Sequence, residues 1–220
     1  MSRQIFITGS TGYMGSRLIP LLVKRGHKVT ALVRPGSDAK LSGVASGVIG
    51  EALKMDSYAE RVRGAETFVH LIGVPHPSPA KAAQFRAVDL VSVQVAVKAA
   101  SEAGIRHFVY LSVAQPAPMM KAYVATRSEC EGIIRACNIP ATFVRPWYVL
   151  GPGHRWPYAL LPLYWLCERL PATREGARRL GLLTLSQILN ALLWAVDNPS
   201  RDVQILDVPR IKEFRRECEE

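Results

Sequence analysis

No stretch of the 220 residues stays apolar over the ~18–20 positions that a membrane-spanning helix needs. Cysteine is scarce: Cys130, Cys137, Cys167 and Cys218 form no C-x-x-C pair, and no histidines cluster beside them. That spacing argues against a zinc module and predicts free thiols in a reducing compartment, with no metal expected. Acidic residues are the minority, 18 against 28 lysines and arginines, for a formal net charge of +10. Such a charge admits anionic ligands, an acidic surface, or no specific partner at all. The chain also lacks a helix-turn-helix pattern and any basic stripe with interleaved aromatics, so nucleic acid is not an expected partner. Internal repeats and low-complexity tracts are absent. Met1-Ser2-Arg3-Gln4 leads directly into an apolar strand and leaves no room for a signal peptide, so a cytoplasmic location is expected.

What the chain does have is an ordinary globular composition, 49% hydrophobic, enough for one full core. Its strongest pattern comes first. Ile5-Phe6-Ile7 reads as a buried strand and runs into Thr8-Gly9-Ser10-Thr11-Gly12-Tyr13-Met14-Gly15. Leu18, Leu21, Leu22 and Val23 then recur at helical spacing up to Lys24-Arg25-Gly26. Strand, glycine turn and helix in succession form the context in which a dinucleotide fingerprint carries weight. The spacing here is G-x-x-G-x-x-G, which departs from the commoner G-x-G-x-x-G. Gly9 would permit a tight turn, Gly12 would let backbone approach a pyrophosphate, and Gly15 would let the helix pack on the strand. The helix N-terminus offers phosphates its N–H groups and the positive end of its dipole. Residues 8–15 are therefore the first candidate cofactor-binding group.

Residues 27–33 read as a second strand, ended by Arg34-Pro35. At this point a dinucleotide-binding fold meets the adenosine ribose, and a carboxylate there selects the free 2′-hydroxyl of NAD(H). A guanidinium suits a 2′-phosphate instead, so Arg34 predicts NADP(H) in preference to NAD(H). Val48-Ile49 forms a short third strand, followed by Gly50, Glu51 and Ala52. Residues 67–73 are apolar on both faces, as a central parallel strand should be, and Leu71-Ile72-Gly73 at its end lets backbone lie against a cofactor. His70 within that strand reads as a core histidine. Strands at 107–112, 141–144 and 203–208 alternate with helices at 80–103, 122–137 and 185–196. The alternation predicts an α/β fold, a doubly wound parallel sheet of the Rossmann type.

Composition changes after Gly151-Pro152-Gly153. Residues 1–150 are expected to form the dinucleotide-binding core. Residues 151–220 are expected to form a small C-terminal portion that covers the site and returns a last strand to the sheet, in one continuous domain. Trp156, Tyr158, Leu160, Leu161, Leu163, Tyr164, Trp165 and Leu166 crowd into this portion, with Arg169, Arg174, Arg178 and Arg179 beyond them. The pattern predicts the wall of a substrate pocket. Its alternative is a contact surface at 156–166 for a protein or a membrane. His154 and Arg155 follow the glycine–proline loop, where a loop histidine can act as acid or base.

As a set, Thr8-Gly9-x-x-Gly12-x-x-Gly15, Val33-Arg34, Phe108-Val109-Tyr110-Leu111-Ser112, Tyr123 with Glu131 downstream, Val144-Arg145-Pro146 and Gly151-Pro152-Gly153 resemble the atypical short-chain dehydrogenase/reductase superfamily over essentially the whole chain. The nearest branch looks like the small NAD(P)H-binding reductases and sensors, including nitrogen-metabolite-repressor-like proteins and a respiratory complex I subunit-like group. The resemblance implies a tyrosine as general acid or base and a lysine four residues on that lowers its pKa and holds the nicotinamide ribose. A serine or threonine from the preceding strand end completes that site. Tyr123 and Ser112 match, and the lysine position holds Arg127, on the same helix face as Tyr123. An arginine keeps the charge and aims its hydrogen bonds differently. The resemblance also places Pro146 by the cofactor, and Glu51 near the adenine, where relatives carry aspartate. Glu131 is expected in a helix-surface ion pair.

Two functional readings follow. One is an NADPH-dependent oxidoreductase of a small carbonyl or enone substrate, or a related dehydratase or epimerase. The other is a non-catalytic NADP(H)-binding sensor or assembly subunit. About seventy residues follow Leu150, which predicts a pocket too small for a nucleotide-sugar.

Overall fold

The computed structural model describes residues 2–37, 45–153, 164–165, 167 and 169–214. Its strands are β1 (Gln4–Thr8), β2 (Lys28–Val33), β3 (Ser46–Ile49), β4 (Thr67–His70), β5 (His107–Leu111), β6 (Ala141–Val144), β7 (Val149–Leu150), β8 (Leu183–Thr184) and β9 (Val203–Leu206). Seven of them form one sheet in the order β3-β2-β1-β4-β5-β6-β9, and every neighbouring pair runs parallel. The short strands β7 and β8 pair with each other, parallel, outside this sheet. The expected doubly wound sheet is present, and the strand order reverses between β1 and β4. A crevice opens at the carboxyl ends of the strands at such a reversal, which is where α/β sheets hold their ligands.

Why the sheet is covered on both faces can be read from its strands, because side chains alternate sides along a strand. Ile5, Ile7, Val69, Val109 and Val144 join one core cluster, with Leu18 and Leu22 of α1 (Gly15–Lys24). Phe6, Phe68, Phe108 and Phe143 join the other, on the opposite face. Phe6, Phe68 and Phe108 stand in register on adjacent strands, with ring centroids 5.4 and 5.1 Å apart. Each ring is fully buried, a contribution of roughly 1.5–3 kcal/mol apiece.

The helices after α1 are α2 (Ala59–Val62), α3 (Ala82–Gln84), α4 (Val91–Glu102), α5 (Lys121–Ala136), α6 (Pro171–Arg179), α7 (Leu185–Asp197) and α8 (Val208–Glu213). The helix expected over 80–103 is compound. Phe85–Leu90 forms a π-helical stretch between α3 and α4, a local widening often found at functional sites. Helix α7 opens on a capping box, in which the Thr184 hydroxyl accepts from the Gln187 N–H and the Gln187 side chain accepts from the Thr184 N–H. Strand β9 pairs with β6 at the edge of the sheet. His154, Arg155 and the segment 156–163, together with Leu166, lie outside the described residues.

Candidate functional site

The glycine turn joins β1 to α1 and cannot be built from larger residues. Gly9 has φ +77°, and a Cβ there would sit 2.8 Å from the carbonyl carbon of Leu71. At Gly15 a Cβ would lie 2.3 Å from the Gly9 carbonyl oxygen. The turn is thus pressed against the end of β4, with α1 close behind it. Met14, at the N-cap of α1, gives no side-chain cap, and the first turn carries no acidic residue. That helix end suits a phosphate, which would take the place of the missing cap. The cradle therefore fits a dinucleotide.

Around it the predicted cofactor residues take distinct places. Thr8 is buried and bonded through its hydroxyl to His70 Nδ1 at 2.9 Å, and the Ser10 hydroxyl donates to the Leu32 carbonyl. Thr11 and Tyr13 are half-buried, and the Tyr13 ring stacks under Arg17 at 4.3 Å. Arg34 is exposed at the end of β2. Glu51 is exposed beyond β3 and paired with Lys54 at 2.8 Å, while Ala52 packs on the core. Leu71, Ile72 and Gly73 are half-buried beyond β4.

A cavity of about 370 Å³ opens beside this turn, lined by Met14, Ser112, Tyr123, Arg127, Pro146 and Trp147 among others. Most of the remaining wall is apolar or aromatic, and His76 and Met120 contribute with left-handed backbones at φ 49° and 55°. The three candidate catalytic residues therefore share one space with a residue of the glycine turn. Phe85, from the π-helical stretch, packs against the Tyr123 ring at 5.0 Å between centroids.

Arg127 faces inward. Its guanidinium donates to Asp89 Oδ1 at 2.6 Å, to the Tyr110 hydroxyl at 3.0 Å and to the Leu111 carbonyl at 3.0 Å. It lies 5.2 Å from the Tyr123 ring centroid, over its face. Burial pushes the Asp89 carboxyl up, while Arg127 and the Val74 N–H pull it back. A Cβ on Gly73 would sit 2.1 Å from Arg127 Nη2, so the backbone after β4 lies directly on this ion pair. The position that holds a ribose in the resembling enzymes is here spent on the protein's own interior.

Glu131 corrects the sequence expectation. It is fully buried, not on the helix surface, because α5 turns that face toward the ends of β5 and β6. Ser112 donates to it at 2.6 Å, Gln115 at 2.9 Å, Arg145 Nε at 2.8 Å and Arg135 at 3.2 Å, and Arg145 Nη2 adds a further bond. Such a donor set is what a buried carboxylate requires. The Ser112 proton therefore points at Glu131, leaving its oxygen lone pairs for the cavity.

His70 is the core histidine expected, bonded to Thr8 and, at 3.2 Å, to Ser92. Burial, then the charge of Arg127, lowers its pKa to about 3, so it stays neutral. Asp89, Gln115 and Arg145 were missed as site residues. Only Asp89 left a signal: it is the one acid in the apolar run Ala87–Val97 and needed a buried partner.

A parallel sheet with a glycine cradle at its reversal point, and a tyrosine and serine on the adjoining cavity, define a nicotinamide dinucleotide-binding protein of the atypical short-chain dehydrogenase/reductase superfamily. A family model described as NAD(P)H-binding matches residues 9–155, and the chain belongs to that family. It is similar to a ceramide reductase of Caulobacter vibrioides, 29% identical over 180 residues, covering 79% of this chain and 55% of that protein. It is also similar to the 4-hydroxy-2-methyl-3-oxo-4-farnesyl-3,4-dihydroquinoline-1-oxide ketoreductase of Stigmatella aurantiaca, 26% identical over 168 residues, 66% of this chain and 50% of that one. The chain thus spans about half the length of these curated relatives. Among solved structures, the Bordetella bronchiseptica enzyme WbmH in complex with NAD+ shares the fold at a TM-score of 0.69 and 21% identity, covering 97% of this chain and 79% of that one. No helix among the described residues is long and apolar enough to cross a membrane.

Proposed function

We propose that the chain is an NADPH-dependent oxidoreductase that reduces a carbonyl or enone carried on an apolar body. The observation that carries this reading is the single cavity lined by Met14 of the glycine turn, Ser112, Tyr123 and a mostly apolar wall. Bound NADPH would supply the hydride. The Tyr123 hydroxyl would give its proton to the oxygen that develops charge, and Ser112 Oγ would accept a hydrogen bond from the resulting hydroxyl. Arg34 would pair with the 2′-phosphate. The mostly apolar wall suits a hydrophobic substrate, in keeping with relatives named for ceramide and for a farnesyl-bearing quinoline.

A second reading, an NADP(H)-binding sensor or assembly subunit, is favoured by the inward commitment of Arg127. Turnover of long-chain ketones with NADPH separates the two. The wild-type chain is expected to oxidise NADPH, and Tyr123→Phe to cut kcat on the order of a hundredfold or more. No turnover in either chain, with NADPH still bound, would support the sensor.

A further inference from the structure

The large apolar side chains exposed among the described residues are few, and two of them, Met119 and Trp165, neighbour groups bonded to the cavity wall. Met119, 51% exposed, touches the cavity-lining Tyr148, whose hydroxyl lies 3.9 Å from its sulfur. Trp147, also on the wall, is hydrogen-bonded to Tyr164, and Trp165 next to it is 57% exposed. Leu170, 48% exposed, caps the start of α6, and the Thr173 hydroxyl ties that start to the Cys167 carbonyl at 2.8 Å. Arginines accompany Trp165 and the helix that follows it. Arg169 stacks on the Trp165 ring at 3.4 Å, and Arg174 and Arg178 stand exposed on α6, whose only acid is Glu175.

We propose that this face docks on an anionic lipid surface and that the substrate enters the cavity from it as a lipid-like carbonyl compound. The substrate half of this proposal rests on the oxidoreductase reading; the docking half does not. An exposed tryptophan beneath a guanidinium matches a bilayer interface, where the ring sits at the acyl boundary and the charge among the headgroups. The arginines supply the complementary charge, and the Tyr164–Trp147 hydrogen bond joins the segment that carries Trp165 to the cavity wall, a route for an apolar molecule from the interface.

The full chain is mixed with vesicles of phosphatidylcholine alone, or of phosphatidylcholine and phosphatidylglycerol in equal parts, and sedimented. Binding is expected to the anionic vesicles and not to the neutral ones. Arg169→Glu with Arg178→Glu is expected to lower the partition coefficient about tenfold or more, since each arginine near the surface contributes roughly a factor of five. Trp165→Ala is expected to weaken binding several-fold at unchanged net charge. Arg61→Glu with Arg63→Glu changes the net charge equally on another exposed surface and is expected to leave most of the binding intact. Each variant should keep its NADPH-induced rise in Tm. Equal losses from the two charge-reversed pairs, unchanged binding by Trp165→Ala, or no binding to anionic vesicles would overturn the docking, while Tyr123→Phe tests the chemistry separately.

Discussion

The Arg127 guanidinium and the Asp89 carboxylate form a buried ion pair at 2.6 Å, directly behind the backbone of Gly73. The pair joins α5, which carries Tyr123, to the π-helical stretch, whose Phe85 packs on the same tyrosine. Asp89 Oδ1 also accepts the Val74 N–H at 3.2 Å and so fixes the loop that leads to His76 on the cavity wall. A charge that could have held a ribose instead holds the walls of the site together.

Removing one partner should therefore cost more than removing both. Asp89→Leu leaves a guanidinium in the interior without its counter-charge and is expected to destabilise the fold by about 3–5 kcal/mol. Combining Asp89→Leu with Arg127→Met should recover much of that loss, because neither charge then has to be desolvated. Urea unfolding of the singles and the double gives the coupling energy. A coupling near zero would show that the pair does not act as a unit.

The proposed preference for NADP(H) rests on Arg34. NADPH is expected to raise Tm more than NADH at equal concentration, because a ligand at a hundred times its Kd adds roughly 2.7 kcal/mol. Arg34→Ala should weaken NADPH by about tenfold or more and leave NADH nearly unchanged, since only the charge-assisted bonds to the 2′-phosphate are lost. Differential scanning fluorimetry reads both. Equal shifts in the unaltered chain would remove the NADP(H) preference.

Acid sensitivity should follow His70. Its pKa is about 3 in the folded chain and reverts to the ordinary ~6.5 on unfolding. Between those values the unfolded chain binds a proton that the folded chain excludes, so stability falls as pH drops through this window and is unaffected above it. The slope is about 1.4 kcal/mol per pH unit for one such group. His107, lowered to about 4 by burial and then by Arg3, adds in the same direction over a narrower window. His70→Asn should flatten the acid limb of stability by about one proton, as read from urea unfolding across a pH series. An unchanged slope would mean that His70 is protonated in the native state.

The legible parts of this protein were those written in local pattern. Ile5-Phe6-Ile7 before three glycines, and Thr67-Phe68-Val69-His70 with no polar face, specify buried parallel strands, since a strand covered on both sides must be apolar throughout. The resemblance singled out Tyr123 and Ser112 as candidate catalytic residues, and the fold brings both to the cavity wall. Glu131 was misread because its partners Ser112 and Arg145 come from two separate strand ends that no helical periodicity reports.

The sequence by itself determined the sheet, its covering on both faces and the glycine cradle, because alternation along a strand and the lack of a Cβ act within a few residues. Only the tertiary structure decided what the charged side chains do. Arg127 and Asp89 are 38 positions apart, and whether a guanidinium turns to a ligand or to a buried carboxylate depends on which groups the fold brings within hydrogen-bond reach. That choice is made by packing, where the cost of leaving Asp89 without a partner outweighs the pull of an exposed site.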